Sequence, residues 1–285
     1  MVICTDKKYV FVKVYKTGGT SIYHELRKHS KSQNNLGHMY HHGIIPTGVL
    51  QDYNTAVKWF RLSAEQGDVS AQYNLGQMYR NGQGVPQDDK TAVKWYRLAA
   101  DQGDAYAQYN LGFMYEKGKG VPQDYKTAVK WFRLAAEQGY AFAQFNLGVM
   151  YGKGKGVPQD YKTAVKWYSL SAEQGDARAQ FNLGVMYDKG KGVTQDFKTA
   201  VKWYRLSAEQ GLVDAQFKLG VMYLLGQGVT KSYVYGHMWS NIAASSSHKD
   251  ATKVRDIASK KMTSTDISTA QKLARECVEK KYKEC

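Results

Sequence analysis

Two clusters early in the chain carry side chains capable of chemistry. The first is KTGGTS, formed by Lys16, Thr17, Gly18, Gly19, Thr20 and Ser21, which follows the apolar run YVFVKVY. Glycines let successive backbone N–H groups turn toward one point, a helix start adds free donors, and a lysine adds positive charge. That combination is a phosphate cradle, so these six residues are the candidate anion-binding set. Their surroundings read as a strand over 9–15, a loop over 16–20 and a helix over 21–29. The second cluster is HMYHHG, where His38, His41 and His42 stand at i, i+3 and i+4. On a helix that spacing turns three imidazoles toward one side, where they can converge on a metal. No carboxylate or Cys at a matching spacing completes a ligand set. The histidines therefore read as a solvated helix end, and neither a metal nor a cofactor is assigned.

The elements behind these clusters follow from an internal repeat. AQYNLGQMY recurs as AQYNLGFMY, AQFNLGVMY (twice) and AQFKLGVMY, with Leu-Gly pairs opening at Leu75, Leu111, Leu147, Leu183 and Leu219, a period of 36. An earlier copy, SQNNLGHMY, is three residues out of step because its loop is longer. All six tryptophans keep the period: Trp59, Trp95, Trp131, Trp167, Trp203 and Trp239. Ala71, Leu75, Met78 and Tyr79 fall at i, i+4, i+7 and i+8, which predicts a first helix with one apolar face. Gly76 inside it costs about 1 kcal/mol against Ala, so its recurrence implies close approach of a partner helix. The second segment, TAVKWY, predicts a helix with Ala92, Trp95, Tyr96 and Ala99 buried. Asp52, Asp88, Asp124, Asp160 and Asp196 stand at its N-cap, and Gly67, Gly103, Gly139, Gly175 and Gly211 stop it. The NGQGVP and KGKGVP joints read as turns rather than phosphate loops. One such helix pair buries too little to be stable, so the pairs must stack.

AYAQYNLGFMYEKGKGVPQDYKTAVKWFRLAAEQG (105–139) resembles a Sel-one-like repeat, a relative of the tetratricopeptide repeat. The resemblance covers about 33–245 in six copies. It implies an all-α fold, a right-handed α/α superhelical solenoid, acting as a protein-interaction scaffold without catalytic residues of its own. Cysteine-rich members bridge their helices with disulfides; this chain has no cysteine in the repeats. The domain reading is therefore 1–32, an N-terminal strand-loop-helix; 33–245, six repeats; and 246–285, a helical cap. In the cap Thr263 and Asp266 are spaced as a capping box, and Ile267, Ala270, Ala274 and Cys277 line one face. The sixth repeat lacks the Asp cap and the closing Gly.

The front loop resembles the 5′-phosphosulfate loop of sulfotransferases, PKTGGTS, which binds 3′-phosphoadenylyl sulfate. Carried over, Lys16 would balance charge on the leaving phosphate while Thr17 to Ser21 cradle it. Tyr15 stands where that family usually has Pro, and no chain is left over to supply further parallel strands. The segment therefore reads as a remnant covering the open end of the first repeat, and the sulfotransferase-like or anion-binding function is an alternative.

A partner surface is sought where the copies differ. One column reads Ser70, Tyr106, Phe142, Arg178, Asp214; another Gln77, Phe113, Val149, Val185, Val221; a third Arg80, Glu116, Gly152, Asp188, Leu224. Between them runs Tyr73, Tyr109, Phe145, Phe181, Phe217, about 200° from the leucine stripe. The expected concave groove is thus Tyr73, Gln77, Arg80, Tyr106, Tyr109, Phe113, Phe142, Phe145, Val149, Arg178, Phe181 and Val185, taking a protein or peptide. The competing reading packs these aromatics between neighbouring first helices.

Formal net charge is +15 over 285 residues. Residues 1–32 carry +5, 246–285 carry +4, and the long middle only +6. A nucleic-acid binder is expected to show a basic stripe along its body, so this distribution argues against one. A basic nucleic-acid or anionic-surface binder working through the two ends is the second alternative. No apolar run approaches the roughly 20 residues of a membrane span. Cys4, Cys277 and Cys285 offer no disulfide framework, and the start has no clear signal region. A monomeric cytoplasmic protein is expected, with secretion or a periplasmic location following if the true N-terminus lies further upstream.

Overall fold

The computed structural model describes residues 30–43, 50–283 and 285. The front loop, with Lys16, Thr17, Gly18, Gly19, Thr20 and Ser21, and Cys4 lie outside them. Among the described residues there are helices and turns and no strand. The chain divides into two compact units at Gln138/Gly139. The first contains α1 (Ser30–His42), α2 (Tyr53–Glu65), α3 (Val69–Asn81), α4 (Asp89–Asp101), α5 (Ala105–Lys117) and α6 (Tyr125–Glu137). The second contains α7 (Ala141–Lys153), α8 (Tyr161–Glu173), α9 (Ala177–Lys189), α10 (Phe197–Ala208), α11 (Val213–Leu225), α12 (Tyr233–Ser245), α13 (Ala251–Ser259) and α14 (Ser264–Glu279). Within each unit every repeat helix packs on its sequence neighbours, and α12 also receives α13 and α14. The result is the all-α arrangement of stacked two-helix modules that the repeat implies.

Local chemistry explains the helix boundaries. The Asp124 side chain accepts from Lys126 N at 2.9 Å and Thr127 N at 3.2 Å, and Thr127 Oγ1 donates to it at 2.6 Å. The other second helices repeat this cap. In the sixth copy Ser232 replaces the missing Asp and accepts from Tyr235 N. Ser247 there takes the positive φ of 63° that the closing glycines supply elsewhere. Close helix approach accounts for the recurrent glycine: a Cβ on Gly112 would lie 2.8 Å from the Phe132 ring and 3.2 Å from the Ala128 carbonyl.

The core differs from the expected stripe at two positions. Ala92, Val93, Tyr96 and Ala99 are buried, but Trp95 is only half-buried, as are Trp167 and Trp203, whereas Trp59, Trp131 and Trp239 are buried. Trp95 lies at the margin of the core shared by its own first helix and the preceding second helix, against the cluster of Phe60, Leu75 and Met78. Tyr79 is also half-buried, because its hydroxyl reaches the surface and accepts from Arg61 Nη2 at 2.6 Å. A feature the hydrophobic pattern hides is a glutamine ladder. Buried Gln72 donates to the Ala64 carbonyl at 3.2 Å and accepts from Gln102 Nε2 at 2.8 Å. Gln108 and Gln138 repeat it in the first unit, and Gln180 and Gln210 in the second. Each copy ties one module to the carbonyl ending the previous one, so buried polar groups are satisfied at the joint.

The C-terminal segment corrects the cysteine reading. Cys277 and Cys285 form a disulfide, with Cα atoms 5.4 Å apart. After α14 the chain reverses through Lys281 and Tyr282, both at positive φ, and the Tyr282 ring packs beside Gly211. That reversal brings two cysteines eight residues apart into bonding range. The expected capping box is present between Thr263 and Asp266, and Ala270, Ala274 and Cys277 are buried.

Candidate protein-binding face

The variable columns lie on the first helix of each module. In the first unit the Tyr73 ring sits 6.1 Å from the buried Tyr96 ring and 6.0 Å from that of Tyr106. Tyr109 stands 5.8 Å from Phe132. In the second unit Phe145 pairs with Tyr168 at 6.1 Å and Phe181 with Tyr204 at 5.7 Å. All four of these first-helix rings are half-buried. Each therefore rests one side on the core ring of its own module and leaves the other side at the surface. The core ring each meets belongs to the second helix of its own module, and Tyr73 also meets Tyr106 on the neighbouring first helix.

Around these rings the polar columns are organised. Gln77 Nε2 donates to the Tyr73 hydroxyl at 2.7 Å, and Tyr96 Oη donates to Gln77 Oε1 at 2.9 Å. Arg80 donates to Asn110 Oδ1 at 2.6 Å and lies over the Phe113 ring at 5.0 Å. Lys117 approaches the same ring at 5.7 Å. In the second unit the Arg178 guanidinium lies 4.4 Å from the Phe145 centroid and 5.2 Å from that of Phe142, and it pairs with Asp176 at 2.7 Å. Tyr106 and Phe142 are the open positions, 54% and 45% exposed. Val149 and Val185 are half-buried against the cores beneath.

The three histidines border a cavity of 320 Å³ in the first unit, together with Phe60, Tyr73, Asn74, Gln77, Met78, Asn81 and Gln83. Asn74 Nδ2 and His38 Nε2 are 3.0 Å apart, His41 Nδ1 and His42 Nε2 3.3 Å, and the His38 ring stands edge-on to Phe60. Burial, then the neighbouring histidines, lowers the pKa of His38; burial, then His42, lowers that of His41. His38 and His41 are thereby biased toward the neutral form, as hydrogen-bonding groups alongside four carboxamides. No group of three or more His, Cys, Asp or Glu among the described residues is arranged to hold a metal. Burial likewise pushes the Tyr168 hydroxyl up to about 12, and those of Tyr96 and Tyr204 above their ordinary value. Sequence reasoning missed Asn110, Asn74 and Gln83. It also missed His248, which stacks on Phe217 at 4.2 Å and places Nε2 3.5 Å from Asp214 Oδ1. Asn74, Asn110 and Gln83 stand inside the repeated segments, where nothing in the pattern singles them out, and the partners of Asn74, Asn110 and His248 are distant in sequence.

Repeated helix pairs presenting a variable, ring-bearing face define a helical-repeat protein. The Sel1 repeat model matches six consecutive segments, 30–68, 69–104, 105–140, 141–176, 177–212 and 213–248. The chain belongs to the Sel1 repeat family. A Sel1 repeat protein from Oxalobacter formigenes has a similar crystal structure: 37% identity, 76% of this chain and 86% of that one covered, TM-score 0.67. The c5321 protective antigen of uropathogenic Escherichia coli, which displays an SLR fold, is 29% identical over 91% of this chain and 78% of its own, with a TM-score of 0.47. A sel1-like repeat-containing protein, L21, of Acanthamoeba polyphaga mimivirus is 40% identical over 94 residues, 28% of this chain. The match spans 17% of that relative's length. None of these matches supports the sulfotransferase-loop resemblance of residues 16–21. No described helix is long and apolar enough to cross a membrane.

Proposed function

We propose that the chain is a non-catalytic adaptor that holds a protein segment against the first-helix face of its modules. Membership in a family of helical scaffolds is consistent with that role. The observation that carries the reading is the pairing of open rings with fixed cations. Phe142 stands exposed beneath Arg178, Tyr106 stands exposed beside Tyr73, and the Arg80 guanidinium is stacked on Phe113. Aromatic and Arg side chains held this way lose little entropy when a partner covers them, which is why they dominate binding energy elsewhere. The imidazoles and carboxamides around the first-unit cavity add donors and acceptors suited to a peptide backbone.

The experiment is selection of peptides from a random display library on the purified chain, followed by affinity measurement with variants. Tyr106→Ser and Phe142→Ser should each weaken a selected peptide by about tenfold or more, as expected for anchor residues. Neither ring is buried, so melting should stay within a few degrees. Full affinity in both variants would overturn the assignment of the face.

A further inference from the structure

Within each unit the second helices carry a separate charged side that net charge conceals. In α4 the residues Lys90, Lys94, Arg97 and Leu98 fall at i, i+4, i+7 and i+8, and all are exposed. Lys126, Lys130, Arg133 and Leu134 repeat this in α6, and Lys198, Lys202, Arg205 and Leu206 in α10. Both α2 (Lys58, Arg61, Leu62) and α8 (Lys162, Lys166, Leu170) carry it less one base. Thirteen of the 23 bases in residues 33–245 thus stand on the outward side of these helices. Against them on the same side are Glu65, Asp101, Glu137, Glu173 and Glu209 near the helix ends. The sequence average of +6 over that region hides the segregation.

None of the nine lysines of the stripe appears in an ion pair among the described residues. Lys130, Lys166 and Lys202 lie over the tryptophan rings of their own helices, between 5.5 and 5.7 Å from the centroids. Arg61, Arg97 and Arg205 are held by donating to Tyr79, Tyr115 and Tyr223. The leucines are 36–47% exposed, each beside its cations. Long cationic side chains flanking a protruding apolar tip are the arrangement of an interfacial helix: the apolar tip enters the acyl boundary and the cations meet phosphate at headgroup level.

We propose that the outward side of the second helices within a unit, α2, α4 and α6 in the first, docks onto a lipid bilayer surface bearing anionic headgroups. Charge complementarity argues for an anionic partner, and the exposed leucine on each of the five helices α2, α4, α6, α8 and α10 argues for lipid over nucleic acid. A phosphate backbone gains nothing from leucine, and sequence-tolerant nucleic-acid binding relies on stacking aromatics. The reading is independent of the first-helix face.

The test is co-sedimentation of the full chain with phosphatidylcholine vesicles containing about one quarter phosphatidylserine, matching the anionic leaflets that attract basic clusters. Expected is binding to these vesicles, little to pure phosphatidylcholine, and loss on raising salt. The set Lys90→Glu, Lys94→Glu, Lys126→Glu and Lys130→Glu should weaken binding at least about tenfold, since each cation near the surface counts. Leu98→Ser with Leu134→Ser should weaken it about threefold with no change of charge. Lys249→Glu, Lys260→Glu, Lys261→Glu and Lys280→Glu change the net charge equally and should leave it within twofold. Helical circular dichroism confirms that each variant is folded. The proposal fails if anionic vesicles are not bound or if the C-terminal set weakens binding as much as the stripe set. It also fails if the leucine variant is unaffected while duplex DNA competes the chain off the vesicles.

Discussion

Two glycines four residues apart in α7 face the same tyrosine and should respond to alanine in opposite directions. A Cβ on Gly148 would lie 2.6, 2.7 and 3.1 Å from three ring atoms of buried Tyr168. A Cβ on Gly152 would meet the Tyr168 hydroxyl at 3.6 Å and Ala164 Cβ at 3.7 Å, ordinary van der Waals contact. Alanine gains about 1 kcal/mol over glycine at either helical position. At Gly152 that gain stands nearly whole, so Gly152→Ala should stabilise by up to about 1 kcal/mol. At Gly148 three ring atoms must move in a close-packed core, and overpacking of this kind costs about 1–3 kcal/mol. Contacts this short place the cost at the upper end, leaving Gly148→Ala about 2 kcal/mol less stable than the parent. The two variants should therefore differ by about 3 kcal/mol, which equilibrium urea unfolding followed by circular dichroism resolves as opposite shifts of the midpoint. Midpoints moving in the same direction, or Gly148→Ala at or above the parent, would refute the claim that ring contact dictates this glycine.

Acid should act through the helix caps. Hydrogen bonds from the capping threonine side chains, then from backbone N–H groups, hold the carboxyls of Asp88, Asp124, Asp160 and Asp196 below their ordinary range. A depressed folded pKa contributes stability that is present above the unfolded value and lost as pH falls through the folded one. Melting temperature should thus drop on acidification below about pH 4, and Asp88→Asn with Asp124→Asn should flatten that drop; an unchanged slope would exclude the caps as its source. For the C-terminal bridge, alkylation in denaturant without reductant should modify one of the three cysteines, rising to three after reduction. Closing so short a loop is worth about 2–3 kcal/mol, so reduction should also increase proteolysis at the C-terminal end. Three alkylated cysteines in the unreduced protein would show that the bond does not form.

Much of the architecture is local and was legible. The period of 36, the Asp caps and the closing glycines act over a few residues of contiguous chain, so the helix pairs and their boundaries follow from spacing. Ser232 and Ser247 show the limit even there: the sixth copy loses its consensus residues yet keeps cap and turn, with serine supplying the acceptor oxygen at one site and adopting positive φ despite its Cβ at the other. The face residues were legible only as columns that vary. That Tyr73, Tyr109, Phe145 and Phe181 each lean on a buried ring while leaving a side open depends on the separation of paired helices, which periodicity does not encode.

The amino-acid order alone determined that this chain makes stacked helix pairs, because a 3.6-residue apolar rhythm repeated with caps and stops has no other compact solution. Only the tertiary arrangement decided what those helices place side by side. The Gln72–Gln102 link, the Cys277–Cys285 bond and the His248 stack on Phe217 all join residues through space. Their contacts are set by packing distances between elements, and packing is a property of the whole assembly of helices rather than of any one stretch.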